Sequence, residues 1–128
     1  MAIKSITHVP VVVPDQDEAL AWFRDKLGFV VCEDNADLVP DYRWLTVAPA
    51  ADRGTRFILM LPQEEADKAR IGANGMCVMA SDDVAGDCAA LSGAGVRILD
   101  GPNDAPWGRS ATFADLYGNL YYLVQPPA

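Results

Sequence analysis

The chain has 128 residues, with 18 Asp and Glu against 10 Lys and Arg, a net charge of -8 (His neutral) and a pI near 4.4. A field of that sign repels phosphate backbones and anionic lipid, which sets aside nucleic acids and membrane surfaces as partners. With 51% hydrophobic and 22% charged residues, the composition is that of one globular domain over 1–128 rather than a disordered segment. A chain of this length buries roughly two-thirds of its unfolded surface without disulfide or metal staples.

The longest apolar runs are a few residues, too short to cross a bilayer. The opening MAIKSITHVP has no apolar core ahead of a small-residue cleavage site, so a cytoplasmic location is expected. Cys32, Cys77 and Cys88 are odd in number and form no CxxC. They read as small buried hydrophobes rather than a disulfide framework or a zinc knuckle.

Residues 5–13 (SITHVPVVV) are β-branched and predict a strand, with Pro10 suited to an edge or bulge. Asp15 predicts a helix N-cap with Glu18 as its capping-box partner. Ala19, Leu20, Phe23 and Leu27 form the apolar face of that helix, and Gly28 ends it. Residues 29–33 predict a strand, 34–41 a loop, and 42–48 and 55–61 two further strands. The polar stretch 62–74 predicts a linker with one helical turn.

The pattern then restarts. Residues 76–81 predict a strand, and Asp82 or Asp83 caps a helix whose Val84, Cys88 and Leu91 share a face. Gly95 ends that helix, so SGAGV (92–96) reads as a helix end and not a phosphate loop. Strands are predicted at 96–99, 109–115 and 119–125, with a loop at 101–108 and a turn at 116–118. The order strand, helix, three strands therefore occurs twice: module one at about 5–62, a linker at 63–74, module two at about 75–126. Aligning Asp15 with Asp83 puts His8 opposite Met76.

The start ITHVPVVVPDQDEALAWFRDKLGF and the ending DLYGNLYYLVQP, bracketing this repeat, resemble the vicinal oxygen chelate superfamily of glyoxalases, extradiol dioxygenases and bleomycin-type resistance proteins. The resemblance implies an α+β fold of tandem βαβββ modules forming a cup-shaped, curved mixed sheet, often in a homodimer. In metal-dependent members it also implies a His on the first strand, a His or Gln on its counterpart, and a Glu on the last strand. Those positions fall here on His8, Met76 and Tyr122, the last because GNxxE reads GNLYY. A divalent metal such as Zn, Ni, Mn or Fe needs about three imidazole, carboxylate or amide donors, and a thioether and a neutral phenol are poor replacements. No metal ligand set is therefore expected.

Strand parity puts His8 with Pro10 and Val12, and Tyr122 with Leu120 and Val124. If the resemblance holds, both face the cup. His8 is a candidate general base, because imidazoles titrate near neutral pH, or else a ligand contact or an inert leftover. Tyr122 and Met76 are candidate ligand contacts. Trp107, in a Gly/Pro loop, is placed to close over a planar ligand, and Arg109 to pair with an anionic one, although Arg is commonly a surface ion-pair partner. Trp44 is a further aromatic contact on a face that parity alone leaves open.

The expected function is metal-free binding of a small aromatic or amphipathic organic ligand, with no cofactor. The alternatives are a glyoxalase- or dioxygenase-like metal enzyme, or a metal-free isomerase or lyase using His8 as base.

Overall fold

The valine-rich run after Thr7 forms strand β1 (His8–Val12), shorter than the expected 5–13. The structure is a computed structural model and describes residues 1–127; Ala128, the last residue of the expected domain span, lies outside the described residues. Strand β1 starts at His8 because its partner starts there. It runs parallel to β4 (Arg56–Met60), with His8 opposite Arg56 and Val12 opposite Met60. Pro10 is accommodated because β1 lies at the edge of its sheet, where the absent N–H breaks no ladder.

Helix α1 (Gln16–Leu27) follows the expected signals. The Asp15 carboxylate accepts from the Glu18 backbone N–H at 3.0 Å. Acidic Asp17 and Glu18 in the first turn, and basic Arg24 and Lys26 in the last, complement the helix dipole. Gly28 takes the left-handed conformation at φ 70° and donates to the Arg24 carbonyl. Ala19 and Phe23 are buried on the sheet, Phe23 against Phe29 and Phe57. Gln16 ties the helix start to the strands by donating to the Arg43 and Leu59 carbonyls.

Strand β2 (Val30–Val39) occupies most of the expected 34–41 loop, and β3 spans Tyr42–Ala48. Its polar composition suggested a loop. In fact β2 is an edge strand whose pairing with β3 shifts register between Val31 and Glu33 and again between Asn35 and Val39. Such a strand keeps polar side chains solvated. Asp34 accepts two hydrogen bonds from Arg43, at 2.8 and 2.9 Å, which also reaches Asp17 on α1. Asp41, at φ 59°, turns the chain into β3. The first sheet has the order β1-β4-β3-β2. The linker contains a short 3-10 helix, Glu65–Arg70.

The second half repeats the pattern. Strand β5 (Met76–Ala80) leads to α2 (Val84–Gly93), capped by Asp83, whose carboxylate accepts from the Gly86 N–H at 2.9 Å. Strands β6 (Ile98–Ala105), β7 (Gly108–Ala114) and β8 (Leu120–Gln125) complete a sheet of order β5-β8-β7-β6, with β5 parallel to β8. Strand β6 overruns most of the expected 101–108 loop, again as an edge strand with register shifts, here around Gly101 and Pro102. Of the cysteines only Cys88 is buried; Cys32 and Cys77 are half-buried, and all three are free thiols. Burial pushes the Cys77 thiol up, and burial with the Asp87 carboxylate does the same for Cys88, so neither is an activated nucleophile.

The chain divides into two compact units, one over Met1–Ile71 and one beginning at Gly72. In each, alternation along the strands separates a helix-covered face from the opposite face. Val11, Leu45, Val47, Phe57 and Leu59 are buried toward α1. Ala111, Phe113, Tyr121 and Leu123 are buried toward α2 with Val84, Cys88 and Leu91. The β7–β8 turn is held by Asp115, which accepts from the Tyr117 and Asn119 backbone N–H groups, the Asn119 amide and the Tyr121 hydroxyl. No helix among the described residues is long and apolar enough to cross a membrane.

Candidate ligand-binding site

In the first unit the sheet face away from α1 carries His8, Trp44, Thr46 and Arg56, gathered around Glu33. The register explains the grouping: His8 lies opposite Arg56, and Glu33 opposite Thr46. The Glu33 Oε1 atom accepts from His8 Nε2 at 3.2 Å, Thr46 Oγ1 at 3.1 Å and Arg56 at 3.0 Å. Burial works to raise the Glu33 carboxyl's pKa. Hydrogen bonding from His8, the Trp44 indole, Thr46 and Arg56 outweighs it and holds the group below its ordinary value, so it is ionised at neutral pH.

An ionised carboxylate only accepts, so His8 Nε2 carries the proton. His8 Nδ1 lies 2.9 Å from the Thr7 hydroxyl, and the ring meets Trp44 edge-on, centroids 5.2 Å apart. Both ring nitrogens are engaged. What His8 presents is an imidazole locked between a carboxylate, a hydroxyl and an indole, not a free lone pair. A cleft of about 470 Å³ adjoins this group, between residues 5–8 and 52–56.

In the second unit the face away from α2 is apolar. Met76 is 51% exposed and Val78 64%. Tyr122 lies opposite Val78 on this face, and Trp107, 50% exposed, leans over it with ring centroids 6.4 Å apart. The expected equivalence of His8 and Met76 holds in the pairing. Each opens the edge strand of its sheet, opposite the first residues of a parallel partner, Arg56 and Leu120.

Arg109 does not join this group. It lies opposite Gln125 and alternates with Ser110, which turns it to the α2 side of the sheet, where it donates to Asp104 at 2.7 Å. The structure thus brings Trp107 and Tyr122 together, and His8 and Trp44 together, and leaves Arg109 in a surface ion pair.

Of the first cluster, sequence reading did not select Thr46, Arg56 or the central member, Glu33. The signal for Glu33 was present in GFVVCED as a carboxylate near a strand end, but the register shift that turns it toward His8 is not visible in the residues.

The family positions for a divalent metal can be tested on donor chemistry. They carry one imidazole, whose Nε2 is committed to Glu33, one thioether and one neutral phenol. Among the described residues no group of three or more His, Cys, Asp or Glu side chains converges as a metal site would require. The residues present do not fit the metal that other members of the fold hold.

Two four-stranded mixed sheets, each with one helix on one face and built from the same strand order, define a glyoxalase-type α+β fold. The chain belongs to the Glyoxalase/Bleomycin resistance protein/Dioxygenase superfamily, whose family model matches residues 5–122. It is similar to the crystal structure of TnmS3, described as an antibiotic binding protein from Streptomyces sp. CB03234, with 34% identity, 99% of both chains covered and a TM-score of 0.80. A superfamily member from Sphaerobacter thermophilus is 29% identical, with a TM-score of 0.85 over 98% of this chain and 99% of that one. The Bacillus subtilis protein YetH is 33% identical over 96% of this chain and 99% of its own length.

Proposed function

We propose that the protein binds a small aromatic or amphipathic organic molecule without a metal, holding it rather than transforming it. The observation that carries this reading is the face formed by Met76, Val78, Tyr122 and Trp107: exposed, apolar and aromatic, with Met and Tyr standing where metal-dependent relatives place donors. A soluble domain rarely leaves such side chains in a cluster without a use for them. Trp107 and Tyr122 supply rigid area for stacking at low entropic cost. His8 and Trp44 add an aromatic pair in the first unit. The likeness to an antibiotic binding protein supports the same class of activity. A homodimer in the cytoplasm completes the proposal, with sedimentation analysis the check on the oligomer.

The test is titration with a panel of aromatic compounds, read by tryptophan fluorescence and calorimetry. Half of Trp107 remains uncovered. A ligand covering about 100 Å² of it gains about 2.5 kcal/mol at 25 cal/mol per Å². Trp107→Ala is therefore expected to weaken binding by about 50- to 100-fold while leaving the melting temperature nearly unchanged. Absence of binding by every compound, or an unaltered affinity in the variant, refutes the proposal.

A further inference from the structure

The floor of the second unit's aromatic face is not wholly apolar. Ser110 and Thr112 lie on it, opposite Val124 and Tyr122, and are 5% and 8% exposed. Among the described residues neither hydroxyl has a hydrogen-bond partner, whereas no buried side-chain N or O atom lacks one. Both oxygens must therefore open on solvent, in a row two residues apart and about 7 Å along the strand. The Tyr122 hydroxyl, beside them, likewise has no hydrogen-bond partner among the described residues.

A ligand that covers this face takes water away from those hydroxyls. A purely apolar ligand would strand them, and a stranded polar group works against binding. A ligand with hydrogen-bonding atoms along one edge would replace the water bonds, because a hydroxyl both donates and accepts. The charge of that edge follows from the neighbouring strand. Asp100 lies opposite Thr112, and Asn103, opposite Ser110, donates to Asp100 at 3.0 Å. Asp100 is the one charged side chain on the strand positions of this face among the described residues, and the chain as a whole carries -8.

We infer that the ligand is a planar aromatic with two oxygen or nitrogen functions along one edge, neutral or cationic, and that Ser110 and Thr112 select it by hydrogen bonding to that edge while Asp100 rejects anions. This rests on the aromatic-binding reading above and adds the chemistry of the ligand.

The experiment compares naphthalene, 2,7-dihydroxynaphthalene and naphthalene-2,7-disulfonate, whose two substituents lie along one long edge, by fluorescence titration of the full chain. The diol is expected to bind at least tenfold tighter than naphthalene, and the disulfonate more weakly than the diol. In Ser110→Ala/Thr112→Val the preference for the diol disappears while naphthalene affinity is retained. Thr112→Ser, which keeps the hydroxyl, preserves the preference. Asp100→Asn strengthens disulfonate binding several-fold. Naphthalene binding with no preference for the diol, a preference that survives the double substitution, or a disulfonate bound as tightly as the diol overturns this inference and leaves the aromatic-binding reading standing. Failure of all three probes to bind refutes both.

Discussion

Removing the Asp115 carboxylate is expected to be among the most damaging single changes in the second unit. Asp115 is 7% exposed and accepts four hydrogen bonds: from the Tyr117 N–H (2.9 Å), the Asn119 N–H (3.0 Å), the Asn119 amide (2.9 Å) and the Tyr121 hydroxyl (2.6 Å). Asn119 and Tyr121 are 1% and 2% exposed, so water cannot readily replace what is lost. In Asp115→Ala the buried Asn119 amide and Tyr121 hydroxyl each lose this acceptor, at about 1–3 kcal/mol each, and the turn amides lose it as well. The sum is about 3–6 kcal/mol, against a typical total stability of about 5–15 kcal/mol. Urea unfolding followed by circular dichroism measures it. Tyr121→Phe alone should cost about 1–2 kcal/mol, and clearly less when introduced into Asp115→Ala, because the bond to Asp115 is then already lost. An Asp115→Ala protein that loses under about 1 kcal/mol, or additive costs in the double variant, would refute the reasoning. The network matters beyond stability: with Tyr121 anchored in the core, alternation must turn Tyr122 to the opposite face.

Glu33 should make stability pH-dependent. Its folded pKa is depressed, so its contribution is present above the ordinary value of 4.5 and is lost as pH falls through the lower folded value. Because the side chain is 37% exposed, solvent screening keeps the effect under about 1 kcal/mol. Glu33→Gln should flatten the decline in melting temperature on acidification, and an unchanged slope would contradict the assignment. Gly108, at φ 140°, sits against the Gln125 carbonyl where a Cβ would collide. Gly108→Ala should cost about 1–3 kcal/mol and reduce Trp107–ligand contact, measured by thermal melting and fluorescence titration; wild-type behaviour in both would show that the strand end yields freely.

Much of this protein was legible in the residues because short-range physics wrote it there. Asp15, Gly28 and Gly95 punctuate helices by local hydrogen bonding and left-handed geometry, which need no tertiary partner. The valine alternation in HVPVV assigned faces because a strand has a period of two, and the repeat placed Met76 as the counterpart of His8. Edge strands escaped the reading. Strands β2 and β6 are polar, glycine- or proline-bearing and bulged, and only pairing with β3 and β7 makes them strands. Those same register shifts decide the site. They turn Glu33 toward His8, and the pairing of β7 with β8 sends Arg109 to the α2 side while leaving Ser110 and Thr112 beside Tyr122. Which way a side chain faces after a bulge is set by the neighbouring strand's hydrogen bonds, and that information belongs to the fold and not to any local stretch of sequence.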